Sequence, residues 1–145
     1  MEQLRYPSLA EVIAIHETVM RGLGEAPRPL RDEGLLESAL KRPQMAVYYE
    51  GADIVRQATL LGTGISQAQA FLDGNKRTAF QTLDSFLWVN GWEYVGDGLD
   101  LARQLERFAE RSADPDAAID AFETWLGEFV QPRVGSRESR SRGVE

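Results

Sequence analysis

Cysteine is absent from this 145-residue chain. That excludes disulfides, thiolate metal sites and a cysteine nucleophile, and it agrees with a cytoplasmic setting. No apolar stretch approaches the roughly 20 residues that a membrane span needs. The opening MEQLRYPSLAEV has no basic segment followed by an apolar run, so no secretory signal is expected. Basic residues are the minority: 16 Lys and Arg stand against 23 Asp and Glu, for a net charge of −7. The stretch from Pro132 to Glu145 holds four Arg and two Glu, which leaves the rest of the chain at −9. An acidic body argues against broad nucleic-acid binding, which depends on neutralising phosphates. It leaves room for a small basic pocket such as Lys76-Arg77. The spacing GxxxxGK[ST] is missing, so there is no P-loop.

The residues that are present suit one compact domain over 1–131, with 43% hydrophobic content and a mass of 16.2 kDa. The pattern predicts an all-α fold. Ser8-Leu-Ala-Glu11 reads as a capping box, followed by Leu9, Val12, Ile13, His16, Val19, Met20 and Leu23 at helical spacing. Gly22 and Gly24 end that helix, and GEAPRPLRDE reads as a loop. Glu33 to Lys41 predicts a short helix stopped by Pro43. Ala52 to about Ile65 predicts a third, loosening at Gly62 and Gly64. A central, largely buried helix is expected from near Asn75 to Asn90, with Asn90-Gly91 as its stop. Trp92 to Val95 reads as a short extended piece and Leu99 to Arg111 as a helix. Asp114-Pro115 opens a last helix to about Val130. PRVGSRESRSRGVE, residues 132–145, has little to bury and reads as a disordered Arg-rich tail.

QAFLDGNKRTAF, Gln69 to Phe80, concentrates polar chemistry between two helices. The amides of a helix's first turn have no partners within the helix and carry partial positive charge. Gly74 lets the backbone come close to a ligand. Asn75 is placed to cap the helix and to donate from its side chain. Lys76 and Arg77 add two full charges. Together they suit a di- or triphosphate. Asp73 is placed to hold Mg²⁺, which takes one or two carboxylates plus phosphate oxygens. Phe71 would anchor the loop in the core. The alternative stays open: Asp-Gly is common in turns, Asn caps helices, and Lys-Arg on a first turn is often a solvated face.

FLDGNKRT resembles the signature of the Fic/Doc (Fido) superfamily, in which a His precedes x-Phe-x-Asp/Glu-Gly-Asn-Lys/Gly-Arg. IAIHETV, LRDEGLLESALKRPQ, YYEGADI and the helix ending in VNG extend the resemblance from about Leu9 to Val130. The Lys after Asn points to the death-on-curing (Doc) branch. The resemblance implies a compact helical toxin of a type II toxin–antitoxin pair, its active site covered by an antitoxin encoded nearby. It also implies ATP and Mg²⁺ as cofactors. The Doc branch transfers the terminal phosphate of ATP to elongation factor Tu and halts translation, and the Fic branch transfers AMP to protein hydroxyls. Carried over by position, Asp73 would bind Mg²⁺, Gly74, Asn75 and Lys76 would contact phosphates, and Arg77 would hold the same anion.

One position departs from that signature. The family's general-base His falls at Gln69. A Gln carbonyl accepts a hydrogen bond but has negligible basicity, and losing general-base help costs about 10²- to 10⁴-fold. The expectation is a retained phosphate site with impaired chemistry. The alternatives are a non-catalytic regulator that binds nucleotide or antitoxin, and an AMP-transferase. His16, the single histidine, reads as a buried structural residue rather than a replacement base. Trp88, Trp92 and Trp125 read as core or groove, and apolar side chains around Trp92 and Tyr94 as a surface for the antitoxin. Arg31-Asp32 reads as a loop ion pair and cap.

Overall fold

A computed structural model describes residues 3–27, 29–110 and 113–134. Among the described residues six helices carry the fold: α1 (Leu9–Gly22), α2 (Glu33–Glu50), α3 (Ile54–Ala68), α4 (Asn75–Val89), α5 (Gly98–Glu110) and α6 (Pro115–Gly127). Two short strands, β1 (Trp92–Tyr94) and β2 (Val130–Pro132), pair antiparallel. This is the all-α architecture that the sequence predicts.

Four of the helix starts have a local side-chain cause. Ser8 and Glu11 form the reciprocal capping box of α1. Asp32, Asp53 and Asp114 cap α2, α3 and α6 by accepting from the amides of Leu35, Arg56 and Ala117. Gly51 ends α2 in the left-handed conformation, at φ 65°.

Pro43 does not stop α2, which continues to Glu50. An interior proline removes one helix bond and costs about 3 kcal/mol. Leu36 and Leu40 before it and Ala46 after it are all buried in the core. Pro43 and Ala46 are themselves buried, so packing against the core holds the helix beyond the proline. Gly62 and Gly64 do not loosen α3 either. A Cβ on Gly62 would lie 2.6 Å from Leu83 Cδ1 of α4, and one on Gly64 would lie 3.4 Å from Ala39 Cβ of α2. These glycines let three helices approach closely.

That approach makes α3 the helix around which the rest assemble. All ten residues from Gln57 to Ser66 are buried, and α3 packs against α2, α4, α5 and α6. α4 starts at Asn75, as predicted, and buries Thr78, Ala79, Leu83, Phe86 and Leu87. Arg56 of α3 ties in Glu50 at 3.3 Å and Asp120 and Glu123 of α6 at 3.0 and 2.9 Å.

The C-terminal end differs from the sequence reading. α6 stops at Gly127, and the chain then forms β2 against the predicted extended piece at Trp92. Arg133 continues the edge: its amide donates to Gly91 O at 2.8 Å and its guanidinium lies 4.8 Å above the Trp88 ring. β2 therefore includes Pro132, and Arg133 bonds along the same edge. The rest of the Arg-rich tail, 135–145, lies outside the described residues, as does Arg111 at the expected end of α5.

Candidate functional site

Residues 69–74 carry the chain from α3 to α4. Gln69 caps α3 with φ 51° and ψ 37° and is the one non-glycine residue with positive φ among those described. Its side-chain amide donates to Ser66 O at 3.3 Å. The strand-like segment 30–32 holds this turn from the side. Arg31 Nη2 donates to Gln69 O at 2.7 Å, and the amides of Arg31 and Asp32 donate to Ala70 O at 2.6 and 3.2 Å. Leu30 and Phe71 form an isolated antiparallel bridge. Arg31 thus serves the turn and not an ion pair with Asp32, which caps α2.

Phe71 is 2% exposed, inside the core. The His16 ring stacks on it at 3.8 Å between centroids, with 8° between planes. His16 Nε2 lies 2.8 Å from Asp73 O. A carbonyl only accepts, so Nε2 carries the hydrogen. His16 is buried and hydrogen-bonded, as the sequence reading expects, and its side chain is committed to the loop. Asn75 closes the turn from within: its Oδ1 accepts from Phe71 N at 3.1 Å and its Nδ2 donates to Phe71 O at 2.8 Å. It therefore stands inside α4, and the cap is Gly74, which lacks a side chain to cap with.

Outward, the same turn presents charge. Gly74 has φ 80°, and its amide donates to Asp73 Oδ1 at 2.8 Å. A Cβ here would lie 2.8 Å from Met20 Sδ and 3.4 Å from His16 Cδ2, so glycine is required for space as well as for φ. The first helical bond of α4 runs from Thr78 N to Gly74 O at 3.0 Å. The amides of Asn75, Lys76 and Arg77 precede it and have no partner within the helix. Lys76 and Arg77 are exposed, and among the described residues neither side chain has an ion-pair partner.

The donor set fits a phosphate chain with its Mg²⁺. Three free amides, two unneutralised cations and an exposed carboxylate with one oxygen uncommitted stand on one turn. No group of three His, Asp or Glu side chains able to hold a metal occurs among the described residues. A Mg²⁺ that binds through one carboxylate, phosphate oxygens and water needs none. The Asn75 amide remains available to an anion, whereas its side chain is spent on Phe71.

The contacts of His16 with Asp73 and of Arg31 with Gln69 were not readable in the sequence. They span 57 and 38 positions, and no local pattern encodes such distances. Trp92 and Tyr94 are both half-buried, and Tyr94 packs against Trp125 and Phe129.

The Fic/DOC family matches residues 6–87, which include every element of this site. The chain is also 37% identical over 105 residues to a protein named Toxin Doc from Mycolicibacterium smegmatis. That match covers 70% of this chain and 78% of the relative.

Proposed function

The chain belongs to the Fic/DOC family, and on that premise we propose that it is a Doc-type toxin with its phosphate site kept and its general base lost. Its partner is an antitoxin encoded nearby. Its ancestral reaction moves the terminal phosphate of ATP to a hydroxyl of elongation factor Tu in the cytoplasm. The observation that carries this reading is the turn itself: free amides at Asn75, Lys76 and Arg77, two unpaired cations, and Gln69 at the preceding helix end.

Each group has a defined task. Lys76, Arg77 and the first-turn amides of α4 bind the phosphates and stabilise charge on them. Asp73 would hold a Mg²⁺, which would supply charge neutralisation to the phosphates when bound. Gln69 can orient an incoming hydroxyl through its side-chain oxygen. It cannot take the proton, because an amide oxygen is not a base near neutral pH. A histidine there would accept it and place charge on an imidazolium.

The absent base also favours a second reading, in which the protein binds nucleotide or antitoxin as a regulator without turnover. Expression decides between them. The chain as it stands and Gln69→His are induced in cells, and growth and translation are followed. Growth arrest by Gln69→His alone, reversed by the antitoxin, supports the toxin. A harmless, folded Gln69→His that still binds nucleotide supports the regulator. Label from the γ-position of ATP on the target indicates phosphate transfer, and label from the α-position AMP transfer.

A further inference from the structure

We propose that His16 is a positioning residue that locks the Asp73–Gly74 peptide plane so that its N–H faces the phosphate side. The inference rests on the reading of Asp73 as the Mg²⁺ holder.

His16 lies on the buried stripe of α1, four residues after Val12 and four before Met20. Its ring lies flat on Phe71, which fixes the ring plane. Its Nε2–H then meets Asp73 O at 2.8 Å. A trans peptide points its C=O and its N–H in opposite directions. Holding the Asp73 carbonyl inward therefore turns the Gly74 N–H outward, where it donates to Asp73 Oδ1. That bond in turn orients the carboxylate. Gly74, at φ 80°, is the residue that allows this peptide to flip at little cost. The Met20 sulfur and the His16 ring fill the space under Gly74 that a Cβ would need. One donor from α1 thus decides which face of a permissive peptide the ligand meets. His16 touches no reacting atom and acts through Asp73.

The test separates the donor from the ring. His16→Phe keeps a ring to stack on Phe71 and has no donor. His16→Gln loses the ring and places an N–H at similar reach. ATP affinity is measured by calorimetry with Mg²⁺ and with chelator for the unaltered chain and both variants. Groups supporting a metal ligand typically change metal affinity about 10- to 100-fold. The Mg²⁺-dependent gain in affinity should fall about tenfold in His16→Phe and be largely restored in His16→Gln, with melting temperature no guide to the order. A folded His16→Phe with an unaltered Mg²⁺ gain overturns the proposal, as does a His16→Gln that loses as much as His16→Phe. If the unaltered chain shows no Mg²⁺ gain, the reading of Asp73 fails by itself. The peptide lock is then judged by exchange of the Gly74 amide: faster in His16→Phe supports it, unchanged overturns it. The imidazole tautomer in the unaltered chain, read by nitrogen NMR, needs no variant. Hydrogen on Nε2 is expected, and hydrogen on Nδ1 alone overturns the proposal.

Discussion

At the scale of single residues, Gln69 carries a conformational cost. It adopts a left-handed conformation that costs an L-residue about 1–2 kcal/mol. Glycine removes that strain but loses about 0.5–1 kcal/mol more entropy on folding. The side chain's one hydrogen bond, at 3.3 Å to Ser66 O, is long. Gln69→Gly should therefore stabilise the fold by about 0.5–1 kcal/mol, seen as a higher urea midpoint at unchanged slope. A lower midpoint would show that the side chain stabilises the turn more than its contacts imply. Histidine is among the residues enriched in this conformation, so Gln69→His should fold without loss. The backbone conformation of position 69 was not legible in the sequence, because no glycine or asparagine marks the turn. Asn75 shows the same limit: a residue type that suits capping is used instead to close a loop on Phe71.

At the scale of elements, caps were the most legible feature and interior breakers the least. Ser8, Asp32, Asp53 and Asp114 act on amides three residues away, so their signals are local. Pro43, Gly62 and Gly64 read as breaks because their effect was judged one helix at a time. Their reason lies in the neighbouring helix. Gly62 gives a direct check. Alanine there gains about 1 kcal/mol in helix propensity. Its Cβ would stand 2.6 Å from Leu83 Cδ1 and 3.5 Å from Leu83 Cβ. Leu83 is 0% exposed and has no solvent to move into. Overpacking of this kind costs about 1–3 kcal/mol. Gly62→Ala should therefore lower stability, by up to about 2 kcal/mol, in chemical denaturation. A stabilised Gly62→Ala would mean that α3 and α4 are not packed this closely.

At the scale of the whole molecule, the order of helices followed from local signals, while the pairing of β1 with β2 did not. It joins Trp92 to Pro132 across the whole of α5 and α6, and only the extended character of Trp92–Tyr94 was visible beforehand. That corner has a pH signature. Burial, and then the carboxylates of Asp100, Asp97 and Asp84, hold the Tyr94 hydroxyl well above the usual tyrosine range. Burial also raises Tyr6. The neutral phenol is thus favoured in the fold, where Tyr94 donates to Asp97 O at 2.6 Å. In the unfolded chain tyrosine ionises near pH 10. The stabilisation from these groups is complete below about pH 10 and declines as the unfolded chain loses protons above it. Urea midpoints should hold from pH 8 to 9 and fall from pH 10 to 11, less steeply in Tyr94→Phe. An equal fall in Tyr94→Phe would remove Tyr94 as a cause. No helix among the described residues is long and apolar enough to cross a membrane, and exposed apolar side chains on α2, Met45, Tyr48 and Tyr49, leave that helix with an uncovered face.

The central claim is that the phosphate site is intact and that one missing base separates the chain from an active transferase. The most direct measurement is the rate at which label moves from γ-labelled ATP to purified elongation factor Tu, for the chain as it stands and for Gln69→His, at equal protein and Mg²⁺. General-base assistance accounts for at least about 10²-fold. The account predicts transfer by Gln69→His that is faster by at least that factor and that falls again when Lys76→Ala is added. A folded, nucleotide-binding Gln69→His that transfers no more label than the chain as it stands would contradict it.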